Sequence, residues 1–178
     1  MRTLLFFGLI IVATSSCKQI NVDQEIAQID SLKTIITTAQ TIIEEVDIDQ
    51  VKTISEQMSN QIMLAKSLYG DSIAWEKAKL ISKYHGVNKA FGKYIEKQRY
   101  LMHELSFSQE QLQDLGADLQ NNIITSDSFN IYFDKECKAV TELRELIQRE
   151  VDKAKTNMKG YEESSSEIQR MLEEQDVN

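Results

Sequence analysis

Not one of the 178 residues is proline, and that absence constrains the fold more than any motif does. At the usual frequency of about 5%, a chain of this length would hold about nine. Proline breaks helix interiors, because it lacks an N–H donor and its ring clashes with the preceding turn, whereas turn-rich sheet folds use it freely. The chain is therefore predicted to be all-α, with long uninterrupted helices. The apolar pattern agrees: steps of three and four residues, which keep side chains on one stripe of a helix, connect Val22, Ile29, Leu32, Ile36, Ala39, Ile43 and Val46. The same spacing resumes through Val51, Ile54, Met58, Ala65 and Leu68.

The breaks in this pattern define the arms. Asp47, three before Gln50, has capping-box spacing; Gly70 suits a helix end, with Asp71 or Ser72 to cap the next helix. A second seam runs from Ile73 through Tyr84, Phe91, Tyr94 and Leu101 to Leu105. Phe107 and Ser108 look like a fresh start, Ser108 with Gln111 as a capping box and Phe107 with Leu112 as the hydrophobic staple. Residues 121–128 are polar at both ends and can turn, with Thr125 or Ser126 as the next cap. The third seam carries Phe133, Cys137, Val140, Ile147, Val151, Ala154, Met158 and Tyr161, with Gly160 and Ser164 to Ser166 weakening it. The arms 22–69, 72–122 and 127–174 would each be about 72–77 Å long if straight. The reading is an elongated antiparallel helical bundle of three coiled-coil-like arms, interrupted near Asp47, Phe107 and Gly160. It forms one domain over 22–174, with a disordered tail expected at 175–178. Full reversals at those points would instead give a squatter four- or five-helix bundle.

The N-terminus reads as an address. After Met1-Arg2-Thr3, the apolar run Leu4 to Ala13 covers about 15 Å of helix, half a bilayer, which suits a signal h-region and not a span. Thr14-Ser15-Ser16-Cys17 follows, then the polar Lys18 and Gln19. This stretch resembles the signal of a bacterial prolipoprotein, with Thr14 where an aliphatic residue is usual. The resemblance covers only the first 17 to 19 residues. It implies removal of residues 1–16, lipidation of Cys17, a short linker at 17–21 and a mature protein held by acyl chains on the extracytoplasmic side of a membrane. Ordinary secretion with Cys17 left as a thiol is the alternative. If Cys17 carries lipid, Cys137 has no partner, and its seam position predicts a buried small hydrophobe; a Cys17 to Cys137 disulfide belongs to the unlipidated alternative.

Chemistry is sparse. A formal charge of -8 argues against nucleic acid, whose affinity comes from a basic surface. His85 and His103 lack an acid three residues before them, and HExxH, CxxC, CxxCH, GxSxG and the phosphate loops do not occur. Met58, Met63 and Met102 read as core filling and not as haem ligands. The adjacent pairs Glu44-Glu45, Glu162-Glu163 and Glu173-Glu174 point about 100° apart on a helix and make no facing acid and base. No catalytic residue, metal ligand or cofactor is predicted.

One charge feature stands out. Between Ile73 and Arg99, Lys77, Lys79, Lys83, Lys89, Lys93, Lys97 and Arg99 face only Glu76 and Glu96, and like charges four apart weaken a helix. An opposing negative surface is expected. It is either the first arm, where residues 22–60 hold eight acids against Lys33 and Lys52, or an external anion such as lipid headgroups, an envelope polymer or an acidic protein. Lys79, Lys83, Gly86, Ala90, Lys93 and Lys97 share one flank, and this is the candidate binding site. Gly86 and Gly92 read either as room for another backbone or as close internal packing or a kink. Phe107-Ser108-Gln109-Glu110-Gln111-Leu112 is similar to the LTxxQ element of Spy-type periplasmic chaperones. The functional expectation is a lipid-anchored cell-envelope protein that acts by binding, as scaffold, spacer or accessory subunit. A periplasmic holdase and an enzyme or haem or metal carrier are the alternatives.

Overall fold

The computed structural model describes residues 22–70 and 73–176. Cys17 and its signal, Asp71 and Ser72 lie outside the described residues. Every regular element among them is α-helix: α1 Val22–Glu44, α2 Ile48–Tyr69, α3 Trp75–Gln120 and α4 Ser126–Asp176. The chain is an all-α helical bundle.

Asp47 separates α1 from α2 as the sequence predicts, its Oδ1 accepting from the backbone N–H groups of Asp49 and Gln50 at 2.9 and 3.1 Å. The break is a kink and not a reversal. Late α3 lies against early α1, because a Cβ on Gly116 would sit 3.6 Å from Ile29 Cδ1 and 3.7 Å from Ile26 Cδ1. Early α3 lies against late α2, where Asn88 bonds Ser55 and Ser59, and the Tyr84 hydroxyl donates to Gln61. α1 and α2 therefore form one arm antiparallel to α3. α4 returns parallel to that arm: Ser126 donates to Glu25, Lys155 pairs with Glu45, and Tyr69 donates to the carbonyl of Met171. Three arms run up, down and up.

Two of the three expected interruptions are absent. α3 passes through Ser108 as one helix of 46 residues. Phe107 is 51% exposed, so no staple forms, while Ser108 is buried on the continuous seam of Leu101, Leu105 and Leu112. Burial of each leucine is worth about 1.5–3 kcal/mol, against about 1 kcal/mol for a cap, so the seam overrides the local signal. α4 likewise runs 51 residues through Gly160. There Tyr161 stacks on Tyr84 at 6.3 Å, and a Cβ on Gly160 would sit 3.4 Å from Val87 Cγ2. Ser164, buried, is absorbed by donating its hydroxyl to the carbonyl of Gly160 at 2.6 Å.

The β-branched stretch of α1 is accommodated similarly. Thr34, Thr37, Thr38 and Thr41 each donate a hydroxyl to the carbonyl four residues back, leaving Ile36, Ala39 and Ile43 free to face the core. The first reversal uses Gly70 at φ +53°, its N–H bonded to Lys66. α3 starts from Ala74 with no side-chain cap. The second reversal places Asn122 at φ +56° and closes with the N–H of Ile123 on Asp118. Thr125 caps α4 by accepting from the N–H of Ser128. Cys137 is a half-buried free thiol packed against the core.

Candidate functional site

The basic face belongs to the first half of α3. Its seam residues Tyr84, Phe91 and Tyr94 are buried between the other arms, and that fixes the opposite side of the helix outward. Lys79, Lys83, Gly86 and Lys93 are exposed, and Ala90 and Lys97 are half-buried. The structure thus brings the predicted flank together on one surface.

Its counter-charges are not where the sequence suggested. The two cross-arm ion pairs of this face run to α4: Lys77 to Glu174 at 3.7 Å and Lys83 to Glu163 at 3.6 Å. Among the described residues no ion pair joins the first arm to α3. Glu25 is buried on the seam and accepts from Ser126 of α4, Asp30 and Asp49 pair within their own helices with Lys33 and Lys52, and Glu45 pairs with Lys155 of α4. On α4 itself Lys138 turns forward to Glu142 and not back to Asp134. Tyr69 also accepts from Lys77 at 3.1 Å and holds that ammonium above its ordinary pKa, with Glu174 adding to the effect. Lys97 lies over the ring of Tyr100 at 4.8 Å. Lys79, Lys89 and Lys93 make no ion pair among the described residues.

The two glycines do not serve the bundle. A Cβ at Gly86 or Gly92 would meet nothing within 4 Å, so close internal packing does not account for them. Each costs about 1 kcal/mol of helix propensity against alanine. Unpaired Lys89 and Lys93, four apart, and the uncompensated Gly86 break local helix rules on one face, the pattern expected where a surface is kept for something outside the fold; Gly92 lies about 120° round the helix from Gly86.

At the hairpin end of the same region, between the last turns of α2 and the first turns of α3, lies an apolar groove of about 230 Å³. Ile62, Ala65, Tyr69 and Ile81 line it, with Lys66 and His85 at its walls. Trp75, the first residue of α3, is 77% exposed, and Met63, one turn before Lys66, is 64% exposed. Periodicity could not reveal this groove, because it arises where two seams diverge. A second cleft of about 170 Å³ between α3 and α4 is lined by Lys93, Tyr94, Glu150 and Lys153. Tyr94 is 4% exposed, its hydroxyl has no hydrogen-bond partner, and burial together with the Glu150 carboxylate pushes its pKa up to about 12.

His85 and His103 are both exposed. No group of three His, Cys, Asp or Glu side chains converges among the described residues as a metal site would need. The lipidation candidate Cys17 lies outside the described residues, and no helix among them is long and apolar enough to cross a membrane. No protein-family model matches the sequence, and neither the curated proteins nor the solved structures give a match to it.

Proposed function

We propose that the protein is a lipid-anchored component of the cell envelope that acts by binding, as a spacer or scaffold holding a recognition surface away from the membrane. The arrangement of the arms carries this reading. α1 starts five residues after Cys17, and the α2–α3 hairpin with its groove lies at the other end of an arm of 48 residues, Val22 to Tyr69. At 1.5 Å per residue that is about 70 Å. An anchor at Cys17 would leave the hairpin end and the basic half of α3 as the parts most distant from the bilayer. Two or three acyl chains hold such a protein stably, at about 0.8 kcal/mol per buried CH₂.

The test is metabolic labelling with an alkyne fatty acid in bacterial cells, followed by detergent partitioning. Label on the wild-type chain that disappears in Cys17→Ser, together with a shift of the variant to the aqueous phase, is the expected result. An unlabelled wild-type chain overturns the anchor.

A further inference from the structure

The groove at the α2–α3 hairpin and the lysines beside it have matching chemistry, and together they specify an occupant. We propose that this end of the bundle docks an acidic amphipathic helix of a partner protein. One apolar side chain of that helix enters the groove, and its carboxylates meet Lys66 and the lysines of α3. The inference rests on reading the protein as a binding module; the lipid anchor enters only in excluding the chain's own N-terminal segment as the occupant.

Three observations carry it. The groove floor is apolar, formed by Ile62, Ala65 and Ile81, and its volume of about 230 Å³ suits one or two side chains and not a globular surface. The apolar area continues onto exposed Trp75 and Met63, which lie one helical turn from the groove residues Ala78 and Lys66 respectively. The charge at the groove wall is basic: Lys66 is in its lining, Lys66 and Lys89 have no ion pair among the described residues, and Lys79 and Lys93 add positive charge along α3, with Glu76 beside Trp75 the nearby acid. Gly86, with open space where its Cβ would be, lets a second helix approach α3 closely just past the groove.

The chain's own N-terminal segment does not reach this place once Cys17 is anchored. The five residue steps from Cys17 to Val22 span at most about 18 Å, whereas Lys66 lies 44 residues beyond Val22 across α1 and α2, about 66 Å along the arm. The positive rim favours an acidic occupant, supplied by another molecule.

The test uses the full chain and three synthetic 21-residue helices that share one leucine face and carry Glu, Gln or Lys on the other. Titration calorimetry measures binding, and the emission of Trp75, the sole tryptophan, reports its location. The Glu helix should bind at least tenfold more tightly than the Gln or Lys helix, weaken with salt and shift Trp75 emission. Lys66→Glu with Lys89→Glu should reverse the preference toward the Lys helix. Ser82→Phe, an exposed position on the groove wall, should reduce affinity about tenfold without changing the salt dependence. Equal binding of all three helices, binding that leaves Trp75 unchanged, or no binding at millimolar peptide overturns the proposal. Self-association of the free chain that is abolished by Ser82→Phe also overturns it, because a second copy would then be the occupant. Loss of lipid label in Cys17→Ser affects none of these readings.

Discussion

Removing one oxygen from either of two tyrosines on the same seam should change stability in opposite directions. Tyr84 is fully buried and its hydroxyl donates to Gln61, which is half-buried. Tyr84→Phe removes that bond but leaves the glutamine oxygen within reach of water, so the cost belongs near the ordinary net value of about 1 kcal/mol. Tyr94 is 4% exposed and its buried hydroxyl has no partner. A buried donor without an acceptor carries a desolvation penalty of about 1–3 kcal/mol. Tyr94→Phe keeps the ring packing and discards that penalty, so the variant should be about 1 kcal/mol more stable than wild type. The two variants should differ by about 2 kcal/mol, or about 6 °C in Tm for a domain of this size. Urea and thermal unfolding followed by helical circular dichroism at pH 7 measure both. If Tyr94→Phe loses as much as Tyr84→Phe, its hydroxyl has an acceptor in solution, such as Glu150 or a trapped water, and the reasoning fails.

Three further outcomes are expected. Asp47→Ala should cost about 1 kcal/mol by freeing the N–H groups of Asp49 and Gln50, and Asp47→Asn should recover most of it; no loss in Asp47→Ala would mean the kink is held by packing alone. Gly86→Ala and Gly92→Ala should each raise stability by about 1 kcal/mol, since the added Cβ meets nothing, with Gly86→Ala also weakening the Glu helix of the docking experiment; a destabilised Gly86→Ala would show that the bundle itself needs the glycine. Burial raises both Tyr84 and Tyr94 from 10.0 to about 12, with Tyr161 and Glu150 as the respective second causes. The folded state holds these protons more tightly than the unfolded chain, so the associated stability is fully present below pH 10 and is lost as pH rises to 12. Unfolding free energy measured across that window should fall more steeply in wild type than in the double Phe variant, and equal slopes would contradict the assignment.

The seams were legible because burial follows the three-and-four spacing directly. Ile29, Leu32, Ile36, Val51, Met58, Phe91, Leu101, Val140 and Ile147 are all core residues, and each was on a stripe read from the sequence. Local end signals were less reliable. The Asp47 cap is real because the apolar register also changes there. The Ser108 box is not, because Leu101, Leu105, Ser108 and Leu112 keep one register across it. A capping signature ends a helix only where the seam allows it to end. The basic flank of α3 was equally visible as a run of lysines, but its ion partners were not. Which arm faces Lys77 and Lys83 depends on helix rotation and not on the net charge of a segment. The groove beside Trp75 left no signal, since its walls are ordinary seam residues of two helices.

The three-arm order has a consequence for how the molecule can change in length. A seven-residue insertion in one arm would displace every later contact on that arm by about 10 Å, pulling Tyr84 away from Gln61 and Tyr161, or Glu25 away from Ser126. Only matched insertions at the same height in all three arms preserve the register. The separation between the two ends is therefore fixed against single insertions or deletions and moves only in coordinated steps of about one heptad, which gives the fold the behaviour of a ruler with coarse divisions.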